Sequence, residues 1–290
     1  MRLTMSGEVF SHYLPLDRTL EITTSFRIRN FELWAKNIQP LSNSCHDRLY
    51  RDRDIEQAKK QFKASGVQIA CVAFGGAFHQ EVASDVGLYT SELIRAIEIA
   101  ADLEAGLVNH YCNLIAPQFN LDFDILEHYW SAPLKRAETL GVTLVLENEA
   151  HDMTHTPENV LAIIEYFRSK NFRSNLDATN FYQAGNEAFP HCYEILRDVI
   201  AYVHIKNGCI FDSGHEFDAS WVGGKMSGHH AGRNIYYTLP TKGAVNMTGL
   251  LERLKADGYA GYITLEPHSN LTNTLAYYES AIPWLRESIS

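Results

Sequence analysis

The amino-acid sequence predicts one α/β domain folded as a closed (β/α)8 barrel. Eight short apolar segments alternate with helical patterns along 290 residues, which is the order of elements that such a barrel requires. No Pro- or Ser-rich linker divides the chain, so we expect a single domain over residues 1–290. The competing fold, an open doubly wound sheet, would favour a GxGxxG turn after its first strand, whereas the first strand candidate leads into SGEVFSHY.

The eight strand candidates are short and rich in apolar residues. They are residues 2–6, 29–34, 67–74, 107–112, 142–147, 172–177, 201–206 and 261–266. After the fifth strand, Thr156 followed by Pro157 predicts the cap and the first turn of a helix. Pro133 lies within the helical pattern of residues 121–140, so we expect a break there and a second helix that starts near Ser131.

Composition and charge exclude several classes of protein. The chain has 25 Lys and Arg against 35 Asp and Glu, a net charge of −10, which opposes a nucleic-acid-binding face. Its longest apolar run, residues 67–78, is shorter than the roughly 20 residues of a membrane span. No apolar segment follows Arg2 as in a signal peptide, and the five cysteines contain no CxxC pair. We therefore expect a cytoplasmic protein with reduced thiols that binds neither nucleic acid nor membrane.

Polar side chains follow one pattern in the last four strand candidates. Side chains alternate between the two faces of a strand, and in each of these strands the aliphatic residues suit the helix-facing side. Four polar residues then face the barrel interior at the carboxyl ends of four consecutive strands. They are Glu147, Asp177, His204 and Glu266, here called the acid–histidine cluster. The carboxyl ends of barrel strands form the mouth in which active sites lie.

The acid–histidine cluster predicts a divalent metal ion. A lone acid at a strand end is more often a cap or a surface residue, but four such residues on the same face favour a site. Three carboxylates that converge without a counter-ion would repel one another strongly. One imidazole with three carboxylates favours Mn²⁺ or Mg²⁺, with Zn²⁺ or Co²⁺ as alternatives.

Four stretches that contain this cluster carry a family resemblance. They are GVTLVLENE (141–149), NLDATN (175–180), YVHIKN (202–207) and GYAGYITLEPH (258–268). In these stretches the sequence resembles the xylose-isomerase-like TIM barrel superfamily, in particular its sugar phosphate isomerase/epimerase group. The resemblance covers most of the chain and is strongest from residue 106 to residue 268.

This resemblance implies a metal-dependent isomerase or epimerase that acts on a ketose, a sugar phosphate or a related sugar derivative. It implies one divalent ion held by the acid–histidine cluster, with Glu147 and Glu266 also acting as the acid–base pair. The reaction would pass through an enediolate stabilised by the metal. Epimerases of free ketoses usually carry a histidine and an arginine where this chain has Asn180 and Ile210, so the substrate stays open.

Five further residues are candidate contacts of a small carbohydrate substrate. Lys206 shares the face of His204, and His110 ends the fourth strand candidate. The others are Asn180, Trp34 and Arg233. Arg233 belongs to residues 208–245, a stretch too long for an ordinary connection after the seventh strand. Such a loop is typical of a lid or of a contact between subunits, so a homo-oligomer is one expectation.

A DNA-repair endonuclease of the endonuclease IV type is the alternative function on the same barrel. Its trinuclear zinc site needs further histidines, and the histidine expected at position 180 is an asparagine here. The expected Asp-x-His pair after the seventh strand is also missing, because Asp212 and His215 are three residues apart. The negative charge of the chain opposes this alternative as well.

Overall fold

The computed structural model describes residues 1–38, 52–73, 85–112, 119–211, 226–228 and 234–290. The strands are β1 (Arg2–Ser6), β2 (Asn30–Trp34), β3 (Gln68–Ala73), β4 (Leu107–His110), β5 (Thr143–Glu147), β6 (Phe172–Asp177), β7 (Ile200–Ile205), β8 (Asn207–Phe211), β9 (Met226–Gly228), β10 (Asn234–Thr238) and β11 (Tyr262–Leu265). The helices are α1 (Leu16–Ser25), α2 (Ala35–Ile38), α3 (Asp52–Ser65), α4 (Val86–Asp102), α5 (Phe123–Leu140), α6 (Pro157–Phe167), α7 (Ala178–Ala184), α8 (Tyr193–Leu196), α9 (Met247–Ala256) and α10 (Leu271–Ile289).

Eight of these strands close into a parallel barrel. Their order around it is β1, β11, β7, β6, β5, β4, β3 and β2, and β2 pairs with β1 to complete the ring. Every predicted strand is present, with ends that shift by at most two residues. The prediction of a (β/α)8 barrel is therefore confirmed.

Alternation of side chains divides the barrel into an outer and an inner set. On β5, Leu144 and Leu146 are fully buried in the main core, which the helices share. Val145, between them, belongs to a separate small cluster with Cys71 and Tyr202. This inner cluster lies on the face that also carries Glu147, as the alternation predicts.

The predicted break at Pro133 is wrong, because α5 continues through it. A proline has no backbone N–H and leaves the carbonyl four residues before it without its helical donor. Here that carbonyl belongs to Tyr129, and the Thr90 hydroxyl of α4 donates to it over 3.5 Å. The helix that follows Thr156 does start as predicted, with Pro157 in its first turn. Among the described residues, no helix is both long enough and apolar enough to cross a membrane.

The segment after β7 forms a second, small antiparallel sheet in the order β8, β10, β9. Its base is held by the buried side chain of Asn207. The amide of Asn207 donates to the carbonyls of Pro240 and Val245, and its oxygen accepts from the N–H groups of Gly208 and Val245. The Asn207 side chain therefore forms hydrogen bonds with both ends of the long segment of residues 208–245.

Candidate metal centre

The barrel register brings the acid–histidine cluster together. Asp177 and His204 are direct partners in the β6–β7 ladder, and Glu147 lies one strand away at the end of β5. Glu266 follows β11, which pairs with β7 on the other side of His204. Each residue offers one ligand atom that lies within 4.8 Å of the other three. None of the four is more than 2% exposed.

His204 lies between carboxylates on both sides of its ring. Nδ1 is 3.0 Å from Glu147 Oε1 and 3.2 Å from Glu266 Oε1, while Nε2 is 2.7 Å from Glu32 Oε2. Burial alone would lower the pKa of His204, but these carboxylates raise it well above its ordinary value. The Nδ1 edge of the ring therefore faces a position suited to a positive charge.

Lys206 supplies the second basic group. Its Nζ lies 2.8 Å from Asp177 Oδ2 and 2.8 Å from Glu266 Oε2. Burial opposes the charge, yet the carboxylates raise the pKa of Lys206 well above its ordinary value. Burial by itself would raise the pKa of Glu266. The nearby positive charges of His204 and Lys206 outweigh burial and lower the pKa of Glu266 well below the usual range. Lys206 and Glu266 are therefore both charged at neutral pH.

The donor set and its charge fit a divalent cation. Four buried carboxylates, those of the cluster and Glu32, face two basic side chains. The carboxyl groups outnumber the two basic groups by two, and burial raises the pKa of Asp177, so an added positive charge would stabilise the site. The ion would be held by the cluster itself, through one imidazole nitrogen and carboxylate oxygens, which is a donor set for Mn²⁺, Mg²⁺ or Zn²⁺.

Two asparagines and Glu32 join this site although the sequence did not single them out. Asn148 binds both backbone groups of Asp177, since its oxygen accepts from the N–H and its amide donates to the carbonyl, each over 2.9 Å. Asn109 donates to Glu147 Oε2 over 2.7 Å. Glu32 and Asn109 lie on the inner faces of β2 and β4, so the alternation rule applied to these strands would have found them.

The structure places the predicted substrate contacts in different surroundings. Lys206 lies beside the acid–histidine cluster, in contact with Asp177 and Glu266. His110 lies on the helix-facing side of β4, where its ring packs edge-on against Trp130 and Phe172. The Asn180 amide donates to the Asn148 carbonyl over 2.9 Å. Trp34 lies beside the cluster, and its indole N–H donates to Glu32 Oε1. Arg233 lies outside the described residues.

A cavity of about 300 Å³ opens next to the cluster. It is lined by Glu8, Val9, His12, Tyr13, His268, Ser269 and Asn270. His268 connects the cavity with the cluster, because its Nε2 lies 3.4 Å from Glu266 Oε2 and 3.2 Å from Lys206 Nζ. Its ring also stacks on Tyr237 of β10, with centroids 4.6 Å apart. The small sheet therefore contributes to the wall of the barrel mouth.

Solved structures with the same fold include metal-bound proteins and a sugar epimerase. A xylose isomerase-like TIM barrel protein from Mycobacterium smegmatis in complex with magnesium is 15% identical, with a TM-score of 0.70 over 100% of this chain and 97% of that one. The IOLI protein with a bound zinc atom is 14% identical, with a TM-score of 0.72 over 100% and 98%. The D-psicose 3-epimerase with D-tagatose from Clostridium cellulolyticum H10 is 12% identical, with a TM-score of 0.69 over 100% of both chains. At these identities the likeness shows the fold alone.

The family is shown by the sequence itself. No protein of curated function matches the chain. The model of the family described as xylose isomerase-like TIM barrel matches residues 28–288, which is most of the chain. The chain belongs to the xylose isomerase-like TIM barrel family.

Proposed function

We propose that this protein is a divalent-metal-dependent isomerase or epimerase of a ketose. The observation that carries the proposal is the acid–histidine cluster, which is buried at the carboxyl ends of four successive strands and has its ligand atoms within 4.8 Å of one another. Mn²⁺ or Mg²⁺ is the favoured ion. The magnesium complex, the zinc complex and the epimerase named above support the proposal, since each has this fold.

Glu147 and Glu266 are the proposed acid–base pair. A carbon-bound proton next to a carbonyl is too weakly acidic to leave unaided, and a bound divalent ion would supply positive charge to stabilise the resulting enediolate. One glutamate removes the proton and the other returns it to the opposite face or to the adjacent carbon. Asn109 orients Glu147, and His204 with Lys206 keeps Glu266 ionised. Lys206 is placed to contact a substrate oxygen.

The cavity next to the cluster favours a substrate without a phosphate group. None of its described lining residues is Lys or Arg, and it includes the carboxylate of Glu8. Among the described residues that line this cavity, a phosphate group would therefore find no Lys or Arg partner. Hydroxyl groups can pair with Glu8, His268 and Ser269, and the half-exposed ring of Tyr13 can pack against the apolar face of a sugar.

Metal content is the first test. We expect the purified protein to bind close to one Mn²⁺ per chain, and Asp177→Ala or His204→Ala to lose most of it while the far-ultraviolet circular dichroism is kept. Glu149→Gln is the matched control, because Glu149 follows Glu147 by two residues but is outside the cluster. Three tightly held zinc ions, together with cleavage of DNA at abasic sites, would contradict the proposal and favour the endonuclease.

Proton exchange is the second test. A panel of ketoses, keto-acids and phosphorylated ketoses is incubated with the protein and Mn²⁺ in D₂O, and loss of a carbon-bound proton is followed by NMR. We expect exchange in at least one unphosphorylated ketose. Glu147→Gln and Glu266→Gln should each lose more than the roughly 10²–10⁴-fold that acid–base catalysis typically contributes, because metal affinity also falls. Undiminished exchange in both variants, or exchange confined to phosphorylated compounds, would contradict the assignment.

A further inference from the structure

We propose that Glu32 is a positioning residue that fixes the tautomer of His204 and so sets the metal affinity of the site. This inference rests on the proposed metal-dependent function. Glu32 and His204 are both fully buried, and His204 Nε2 is 2.7 Å from Glu32 Oε2. A carboxylate can only accept a hydrogen bond, so Nε2 must carry the proton. With a proton fixed on Nε2, a neutral His204 carries its lone pair on Nδ1, the nitrogen beside the oxygens of Glu147 and Glu266, and can offer it to a bound ion.

The second carboxylate oxygen of Glu32 is also an obligatory acceptor. Oε1 accepts from the indole Nε1–H of Trp34 over 2.7 Å and from the hydroxyl of Ser6 over 2.9 Å. An indole N–H can only donate, whereas a hydroxyl can donate or accept. Both ends of the Glu32 side chain must therefore accept, and a carboxylate is the group that can do so.

Glutamine has the same shape but cannot accept at both ends. If its oxygen faces Trp34, its amide group faces His204 and requires Nε2 to accept, which moves the proton to Nδ1. If its oxygen faces His204, its amide group meets the indole N–H, so two buried donors oppose each other and the indole keeps only its longer bond, 3.2 Å, to the Ser6 hydroxyl. The first arrangement removes the lone pair that would bind a metal, and the second loses a buried hydrogen bond.

The test compares Mn²⁺ affinity by calorimetry in the wild type, Glu32→Gln, Trp34→Phe and the double variant. We expect Glu32→Gln to weaken Mn²⁺ binding about 10–100-fold, the usual effect of losing a partner that orients a metal ligand. In the double variant the indole donor is gone, so the glutamine amide can face Ser6 while its oxygen accepts from Nε2–H. Affinity should then return most of the way to that of Trp34→Phe.

The tautomer gives a second readout that a merely structural role would not move. In the Mg²⁺-loaded protein, ¹⁵N NMR of labelled histidine should show His204 protonated at Nε2 in the wild type and in the double variant, and a proton at Nδ1 in Glu32→Gln. Equal Mn²⁺ affinity in the wild type and in Glu32→Gln would overturn the role of Glu32 but leave the proposed function in place. Weak binding in the double variant would also overturn it. A wild-type chain that binds no divalent ion would overturn both proposals.

Discussion

Replacement of His110 by phenylalanine should make the protein less sensitive to acid. His110 is fully buried, and its ring packs edge-on against Trp130 and Phe172. Its Nδ1–H donates to the Val145 carbonyl over 3.0 Å, and its Nε2 has no hydrogen-bond partner among the described residues. Burial lowers the pKa of His110 to about 3, although the bond to Val145 opposes that shift. His110 is therefore neutral in the folded protein between pH 7 and pH 5.

The sign and size of the effect follow from this pKa. In the unfolded chain a histidine takes up a proton as the pH falls below about 6.5, whereas folded His110 does not. The unfolded state is thus favoured progressively between about pH 6.5 and pH 3, by roughly 1.4 kcal/mol per pH unit. Between pH 7 and pH 5 the wild type should lose about 2 kcal/mol through His110 alone. His110→Phe removes this loss, although at pH 7 the variant lacks the hydrogen bond to Val145.

The assay is urea unfolding of both proteins at pH 7 and at pH 5. Other groups titrate in this range, but their contributions are common to both proteins and cancel in the comparison. At pH 7 we expect the free energy of unfolding of His110→Phe to be about 1–3 kcal/mol lower than that of the wild type. At pH 5 this difference between the two proteins should be smaller by about 2 kcal/mol. His128→Gln is the control, because it changes an exposed histidine of α5. The difference in free energy of unfolding between this variant and the wild type should be the same at pH 7 and at pH 5. An equally steep loss of stability in His110→Phe would refute the reasoning.

Two other predictions concern buried polar residues near the mouth. Burial raises the pKa of Asp152 to about 6, so the free-energy cost of its carboxylate in the folded protein grows from about pH 4 and is complete above about pH 6. Asp152→Asn should therefore gain up to about 3 kcal/mol at pH 8, less any weakening of the bonds to Thr154. This gain should disappear below pH 4 in thermal unfolding measured against pH, and a constant gain would contradict it. Asn207→Ala should release the base of residues 208–245, so we expect faster limited proteolysis there and a loss of about 1–3 kcal/mol, whereas unchanged cleavage would show that the sheet is held elsewhere.

The alternation rule accounts for most of what the sequence could predict. It assigns Glu147, Asp177 and His204 to the barrel interior from residue types alone, and the register of the closed barrel then brings them together. His110 was selected because it ends a strand, yet it shares the face of Val108, which lies in the helix-shared core. The same rule, applied to β4, selects Asn109 instead. The two residues differ in the face of β4 that they occupy, which position along the strand does not reveal.

Other features depend on contacts between segments distant in sequence. Pro133 is accommodated because Thr90, on a neighbouring helix, reaches the carbonyl that the proline leaves free. The pairing of Glu32 with His204 joins residues 172 positions apart. Hydrophobic patterning specifies which face of an element is buried, but it does not specify which polar partner will meet a buried group. Such details need the packed structure.

The acid–histidine cluster departs from the packing rule that the rest of the barrel interior follows. One step below it, Cys71, Val145 and Tyr202 fill the barrel with largely apolar side chains. At the carboxyl ends of β5, β6, β7 and β11, the interior instead holds side chains of the cluster that are almost completely inaccessible to solvent, three of them carboxylates. Each of them costs desolvation free energy that an apolar residue would not, and the two nearby basic groups offset this cost only in part. Stability alone would not select such a set of residues. The proposed metal-dependent function accounts for this set of residues, because a bound cation would supply the missing charge.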